Sequence, residues 1–171
     1  MVRFRVSAPA VERLVLTAWV GGAWAAGYVV APALFATIPE RALAGTVAGE
    51  VFHRMSLVGL ACGAVLLVLW VWRDRSGLWR GWRTWAVLGM LLATACGEWL
   101  LAPEIRALRA VLATGAMPEL MDRFRWMHGA ASLLFLAVSL TGLALVAAGP
   151  VTRAVPASAS ARGDTAPPPG L

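Results

Sequence analysis

The chain contains no lysine. All fifteen basic residues are arginines, set against nine acids, and charged residues make up only 14% of the sequence. A soluble globular surface needs roughly 25% charged residues, so this scarcity excludes an ordinary soluble domain. There are two cysteines, Cys62 and Cys96, and two histidines, His53 and His128. They form no CxxC and no HxxxH, so zinc-ribbon, thiol-redox and zincin chemistry have no motif to stand on. No nucleophile–base set and no glycine-rich nucleotide loop occurs either, which leaves nothing resembling an enzyme motif.

What is present is apolar. Hydrophobic residues make up 60% of the chain, and the mean hydropathy of +0.73 places it among integral membrane proteins. Four apolar runs, 14–35, 55–72, 84–103 and 127–148, approach the ~20 residues needed to cross a ~30 Å hydrocarbon core. They mix Leu, Val, Ala, Gly and Trp without two-residue alternation, so the expectation is helices and not barrel strands. The first run follows a basic arm (Arg3, Arg5, Arg13). It is too long for a typical signal-peptide core and continues unbroken through Ala23-Trp24-Ala25-Ala26-Gly27, so it reads as an uncleaved helix. Cys62 and Cys96 both fall inside apolar runs, and Cys62 is expected to lie deeper from the histidine side by about 6 Å at 1.5 Å per residue. A disulfide between them is therefore not expected.

The arginines set an expected orientation. The stretch from Arg73 to Arg83 also carries Arg75 and Arg80, and the N-terminal arm is basic, whereas the other two connections mix signs. The positive-inside rule then puts both termini in the cytoplasm of an inner-membrane protein, with both histidines on the extracytoplasmic side. Trp79, Trp82 and Trp85 fit a cytoplasmic aromatic belt, with Trp126 at the opposite interface. A net charge of +6 in this setting points to lipid headgroups and topology, with no nucleic-acid partner expected. Arginine use without lysine, together with abundant Ala, Gly and Pro, points to a GC-rich, bacterial genome. The division expected is a cytoplasmic arm over 1–13, one transmembrane domain over 14–148 and a disordered cytoplasmic tail over 149–171, whose Pro, Ala and Ser cannot bury a core.

One phrase occurs twice. Tyr28-Val29-Val30-Ala31-Pro32 and Trp99-Leu100-Leu101-Ala102-Pro103 share the order aromatic, aliphatic, aliphatic, Ala, Pro. Each phrase closes an apolar run, is followed by a polar stretch, and leads to a histidine that opens the next run. The chain thus reads as two parallel copies of one membrane hairpin, with Pro32 and Pro103 stopping their helices. After Pro103, Ile105, Leu108, Val111 and Leu112 recur at helical spacing, which predicts a short interfacial helix.

Candidate site residues follow from cost. Glu98 sits about five residues inside the third run, where a carboxylate is expensive unless it faces the bundle and finds a partner. The expected cluster at the outer mouth is Glu98, Arg125 and His128, with His53 nearby. It is either a ligand-binding group or a set of charges that satisfy one another. The leading expectation is a non-enzymatic protein that binds or moves a small ligand or ion at its outer face, with no cofactor. One rival is a haem- or copper-binding redox protein in which His53 and His128 face each other across the bundle, with Arg54 and Arg125 near haem propionates and Met55, Met117, Met121 and Met127 near the same surface. Another is an assembly partner that packs through the Gly59–Gly63 GxxxG step, or forms a homo-oligomer there. His128, Ser132, Ser139 and Gly142 share one side of the fourth run, as a polar path or a helix seam.

At Phe124-Arg125-Trp126-Met127-His128-Gly129-Ala130-Ala131-Ser132-Leu133 the chain resembles the transmembrane protein 205-like family, whose last helix opens with a similar F-R-x-x-H-G-x-x-S-L stretch. Trp99-Leu100 followed by Pro103 is similar to that family's end of helix three. Leu34-Phe35 with Pro39, then Val51-Phe52, are similar to its first loop. The resemblance implies four spans and a membrane location, and it carries no established biochemical activity. His128, Arg125 and Pro103 match its pattern, whereas His53 falls where the family does not require histidine. In architecture alone the chain is also similar to copper-resistance D-like membrane domains. The fold expected is an all-α four-transmembrane-helix bundle of two parallel hairpin repeats with one short interfacial helix.

Overall fold

The computed structural model describes residues 7–73, 79, 81–115 and 117–149. These residues form helices and no strand. Helix α1 (Ala8–Trp24) passes through a π-helical turn (Ala25–Val30) into α2 (Ala31–Thr37). Helix α3 is Arg41–Arg73. Helix α4 (Trp82–Cys96) passes through a second π-helical turn (Gly97–Leu101) into α5 (Ala102–Leu112), and α6 is Pro118–Ala147. The result is four continuous rods of 30 to 33 residues, each long and apolar enough to cross a membrane. At 1.5 Å per residue they run about 45–50 Å, beyond the hydrocarbon core and close to a bilayer's ~40–45 Å with its headgroups. The basic arm before Ser7, most of the basic stretch between α3 and α4, and the tail beyond Gly149 lie outside the described residues.

Four prolines divide into two kinds. Ile38 precedes Pro39 and Met117 precedes Pro118. Both are extended (φ −94°, ψ 113° and φ −119°, ψ 108°), as steric clash with the proline ring requires, so these prolines separate rods. Pro32 and Pro103 act differently. They stand at the second residue of α2 and α5, and the rod runs on through them. This corrects the expectation that they stop the helices. A proline inside a helix lacks an N–H and crowds the carbonyl four residues back, here that of Tyr28 or Trp99. The π-turns relieve both problems. Ala31 N–H donates to the Ala26 carbonyl and Ala102 N–H to the Gly97 carbonyl, five residues back in each case, so the turn widens ahead of the ring. The repeated phrase is therefore the sequence of a widened turn, present once in each hairpin.

The same continuity moves the histidines. His53 lies well inside α3, about 18 Å from its first residue at 1.5 Å per residue, and His128 lies three turns into α6. Neither opens a helix, because residues 41–52 and 119–127 contain no proline and the helix runs through them unbroken. The helix expected over 105–112 is present as α5, directly continuous with α4, with Ile105 and Leu108 buried beside Met127 of α6.

Helix α1 packs on α3 and α6, and α4 packs on the same two, which closes a ring of four rods. Its lower half is a dry core of Leu16, Trp19, Leu66, Trp70, Val87, Met90, Val138 and Leu145. Gly59 and Gly63 are buried in α3, and a Cβ on either would fall inside contact distance of the Trp19 indole; at Gly63 it would also meet Leu91. The GxxxG step is thus filled from within the bundle and offers no face to a partner, against the expectation of an assembly surface. Gly142 and the buried Ser139 form the matching seam on α6, with Gly142 against Val20 and Met90. Gly59→Ala is expected to cost about 1–3 kcal/mol through overpacking against the indole, whereas Gly89→Ala, with open space at its Cβ, should be neutral or slightly stabilising. SDS-titration unfolding in mixed micelles checks both.

Three contacts gather the ends of all four rods at one pole, which is basic. Glu12 of α1 is 1% exposed and pairs with Arg83 Nη1 of α4 at 3.2 Å and Arg73 Nη1 of α3 at 3.5 Å. Arg83 Nη2 also donates to the carbonyl of Gly149, which follows α6 with a positive φ of 68°, a conformation that glycine takes without strain. The two hairpins, α1–α2–α3 and α4–α5–α6, therefore start and finish at this end and run parallel to each other.

Candidate functional site

The opposite end of the bundle is where the π-turns lie. Glu98 belongs to the second of them and is 7% exposed. Its Oε1 is 2.6 Å from His53 Nδ1 of α3, and Arg106 Nη1, two turns further along the same rod, stands 3.9 Å away. A buried carboxylate with a close hydrogen-bond partner and a nearby cation costs far less than an unpaired one. The pair also joins one hairpin to the other. Five residues before the proline, the first hairpin has Gly27 where the second has Glu98. A Cβ at Gly27 would run into the ring of Phe135 on α6. At the same station each hairpin thus receives the other's long helix, through a ring in one case and a carboxylate in the other.

Arg109 of α5 makes a second link. Its Nη1 donates to the Gly45 carbonyl of α3 at 2.6 Å, and its guanidinium lies over the ring of Phe124 at 5.9 Å. Above the core, α2 packs on α3 and α5 on α6, each within its own hairpin. Between the hairpins at this level is a cavity of about 500 Å³, within the range of roughly 300–1,000 Å³ typical of small-molecule sites. One end is polar, lined by His53, Glu98, Arg106, Arg109 and His128. Phe52 and Phe135 stand at about the level of His53 and Glu98, and the wall below them is largely apolar, with Trp19, Ala23, Met55 and Val138. Trp19 and Val138 also belong to the dry core, so that core is the cavity's floor.

The structure joins only some of the residues expected at the mouth. Glu98 is drawn to His53. His128 lines the same cavity, its ring stacked on Phe124 at 5.8 Å with an interplanar angle of 4°, and it makes no hydrogen bond to Glu98 among the described residues. Arg125 is exposed and turns to Asp122 at 3.5 Å. Helical spacing explains this: Phe124, Met127 and Ala131 carry the inward side of α6, which leaves 122, 125 and 126 outside. Arg54 likewise pairs with Glu50 on an exposed surface. The methionines do not form one set. Met55 lines the cavity and Met127 is buried beneath α5, whereas Met117 and Met121 are exposed. Among the described residues no group of three His, Cys, Asp or Glu side chains is placed to hold a metal ion, and Cys62 and Cys96 are both free thiols. Ser132, on the His128 side of α6, lines the cavity, and its hydroxyl donates back to the His128 carbonyl at 2.9 Å.

Three charged residues, Arg106, Arg109 and Glu12, lie outside the set that sequence reasoning singled out. For Arg109 the spacing did hold a clue. The available signal was its position one residue after Leu108 and four after Ile105, at the border of the apolar stripe. For Glu12 the clue was its place as the single acid among residues 1–39.

Four apolar rods with a cavity between parallel hairpins define a multi-pass helical protein of membrane type. Residues 14–111 match the family described as a domain of unknown function (DUF4149), and the chain belongs to that family. The matched stretch includes His53, Glu98, Arg106 and Arg109 and stops short of Arg125 and His128. No curated protein and no solved structure matches the chain.

Proposed function

We propose that this chain is a non-enzymatic inner-membrane protein that binds a small ligand in the cavity between its hairpins, with no resident cofactor. The observation that carries the reading is the cavity itself, charged at one end and largely apolar at the other, above a core of buried apolar side chains. Convergent polar groups at the mouth of an apolar chamber fix a ligand's orientation, and apolar walls supply its affinity. Native mass spectrometry of the purified protein is the test. A bound species should be present in the parent chain and absent from Ala23→Phe, which fills the chamber. Identical spectra for the two would overturn the reading. An absorption spectrum of the same sample with a Soret band, or stoichiometric copper, would replace it with the redox reading built on His53 and His128.

The basic end, with Arg73, Arg83 and the arginines between them, belongs to the cytoplasmic side under the positive-inside rule. Both termini are then cytoplasmic and the mouth faces outward. Exposed Trp85 and Trp99 lie about 21 Å apart along their rod at 1.5 Å per residue, which suits interfacial belts on either side of the hydrocarbon. The similarity of 124–133 to the transmembrane protein 205-like stretch is consistent with this topology. In a cysteine-free background, a cysteine at position 77 should react with a membrane-impermeant maleimide only after the membrane is opened, and one at position 113 in intact cells. The reverse pattern would invert the orientation.

A further inference from the structure

Resting on the cavity reading, we propose that the ligand is a single-chain amphiphile with an anionic headgroup, taken up from the bilayer, whose head sits on Arg109 and whose chain lies toward Trp19.

The charge balance at the mouth carries the headgroup. Glu98 is engaged by His53 and approached by Arg106. Arg109 is different: it is half-buried, it meets a neutral carbonyl and an aromatic face, and no carboxylate pairs with it among the described residues. A guanidinium has five donors, and one is used on Gly45. A half-buried cation with donors to spare at the rim of an apolar chamber favours an anion able to accept them in pairs. The α3 surface opposite is cut back to make room. A Cβ on Gly45 would come within 3.3 Å of Arg109 Cζ, and one on Gly49 within 3.5 Å of its Nη1.

The deep end carries the chain. Below Glu98 it offers no charged group, only Trp19, Ala23, Met55 and Val138 with the small Ser56 and Thr94. A compact hydrophilic anion would leave this surface uncovered, whereas an alkyl chain buries it at about 25 cal/mol per Å². The route from the bilayer is also visible. Tyr28, Phe35 and Leu136 line the cavity and are each more than 40% exposed on the outer surface of the bundle. The chamber wall is therefore continuous with the lipid-facing surface, as lateral access requires.

Photo-crosslinking of the full chain in nanodiscs tests this, using hexadecanoic acid with a diazirine near the chain end and mapping the adducts by mass spectrometry. The matched probes are the same chain with an alcohol head and with a trimethylammonium head. Labelling at outward-facing Leu133 and Leu140 gives the bilayer background. The acid should label Trp19, Met55 or Val138 at least tenfold above that background, and the cationic probe should not. Arg109→Gln should lower acid labelling at least tenfold, Arg109→Lys less, and Arg125→Gln not at all. Monodispersity on gel filtration shows that each variant is folded. Equal chamber labelling by all three heads, abolished in Ala23→Phe, would overturn the anionic class and leave the cavity reading standing. Background labelling by every probe would overturn both. Undiminished acid labelling in Arg109→Gln would overturn the assignment of the head.

Discussion

Replacing Arg83 with leucine is expected to destabilise the protein by about 2–4 kcal/mol, because it strips the nearer guanidinium from a buried carboxylate. Glu12 is almost wholly enclosed, Arg83 is 13% exposed, and Arg73 at 31% is the more solvated cation. Removing Arg83 takes from the carboxylate the nearer of these two guanidinium groups and also frees the Gly149 carbonyl. Arg73→Leu should cost less, because Glu12 keeps Arg83 and Arg73 is more screened. Glu12→Leu combined with Arg83→Leu should recover much of the loss, since a paired set of apolar side chains replaces a paired set of charges. SDS-titration unfolding across the full double-mutant cycle measures the coupling. A cost for Arg83→Leu no larger than that for Arg73→Leu would mean that this cluster does not hold the four rod ends together.

The second large effect is expected at the other pole. His53→Leu should cost about 1–3 kcal/mol, because it strips the close partner from a buried Glu98. Arg106→Leu should cost under about 1 kcal/mol, since that arginine is more than half exposed and stands 3.9 Å off. His53→Leu also removes a direct bond between the hairpins at a level where each packs mainly within itself. Amide exchange should therefore rise in the π-turn Gly97–Leu101 and the facing part of α3, with the dry core unchanged. Uniform exchange across all four rods would show that the pair supports the whole fold and is not a local tie at the mouth.

The bundle was legible in the sequence because its signals are repeated and local. Four apolar runs, a basic centre and a duplicated phrase are enough for four rods and two parallel hairpins. The rod ends were not legible, for a definite reason. Pro32 and Pro103 carry the ordinary mark of a helix stop, and only the hydrogen bonds to Ala26 and Gly97 show that the helix is widened and continues. Misplacing those ends put His53 at a helix start and made Arg125 look like the natural partner of Glu98. Glu98 itself stood out because a lone carboxylate in an apolar run must be resolved by something. Its partner lies 45 residues away on another rod, and nothing in local spacing encodes that. Glu12 escaped for the same reason: Arg73 and Arg83 lie 61 and 71 residues away on other rods.

Each π-turn closes over one residue more than an α-turn does. In an otherwise regular screw of 3.6 residues per turn, one extra residue advances everything beyond it by about 100° around the axis. Deleting Ala102, just ahead of Pro103, would unwind that phase. Arg109 and Ile105 would swing together by more than a quarter circle, carrying the guanidinium away from Gly45 and an apolar side chain into its place. The mouth's chemistry is thus timed by a single residue in each rod, and a chain with both phrases shortened by one would keep its four spans while presenting a different ring of side chains at the top.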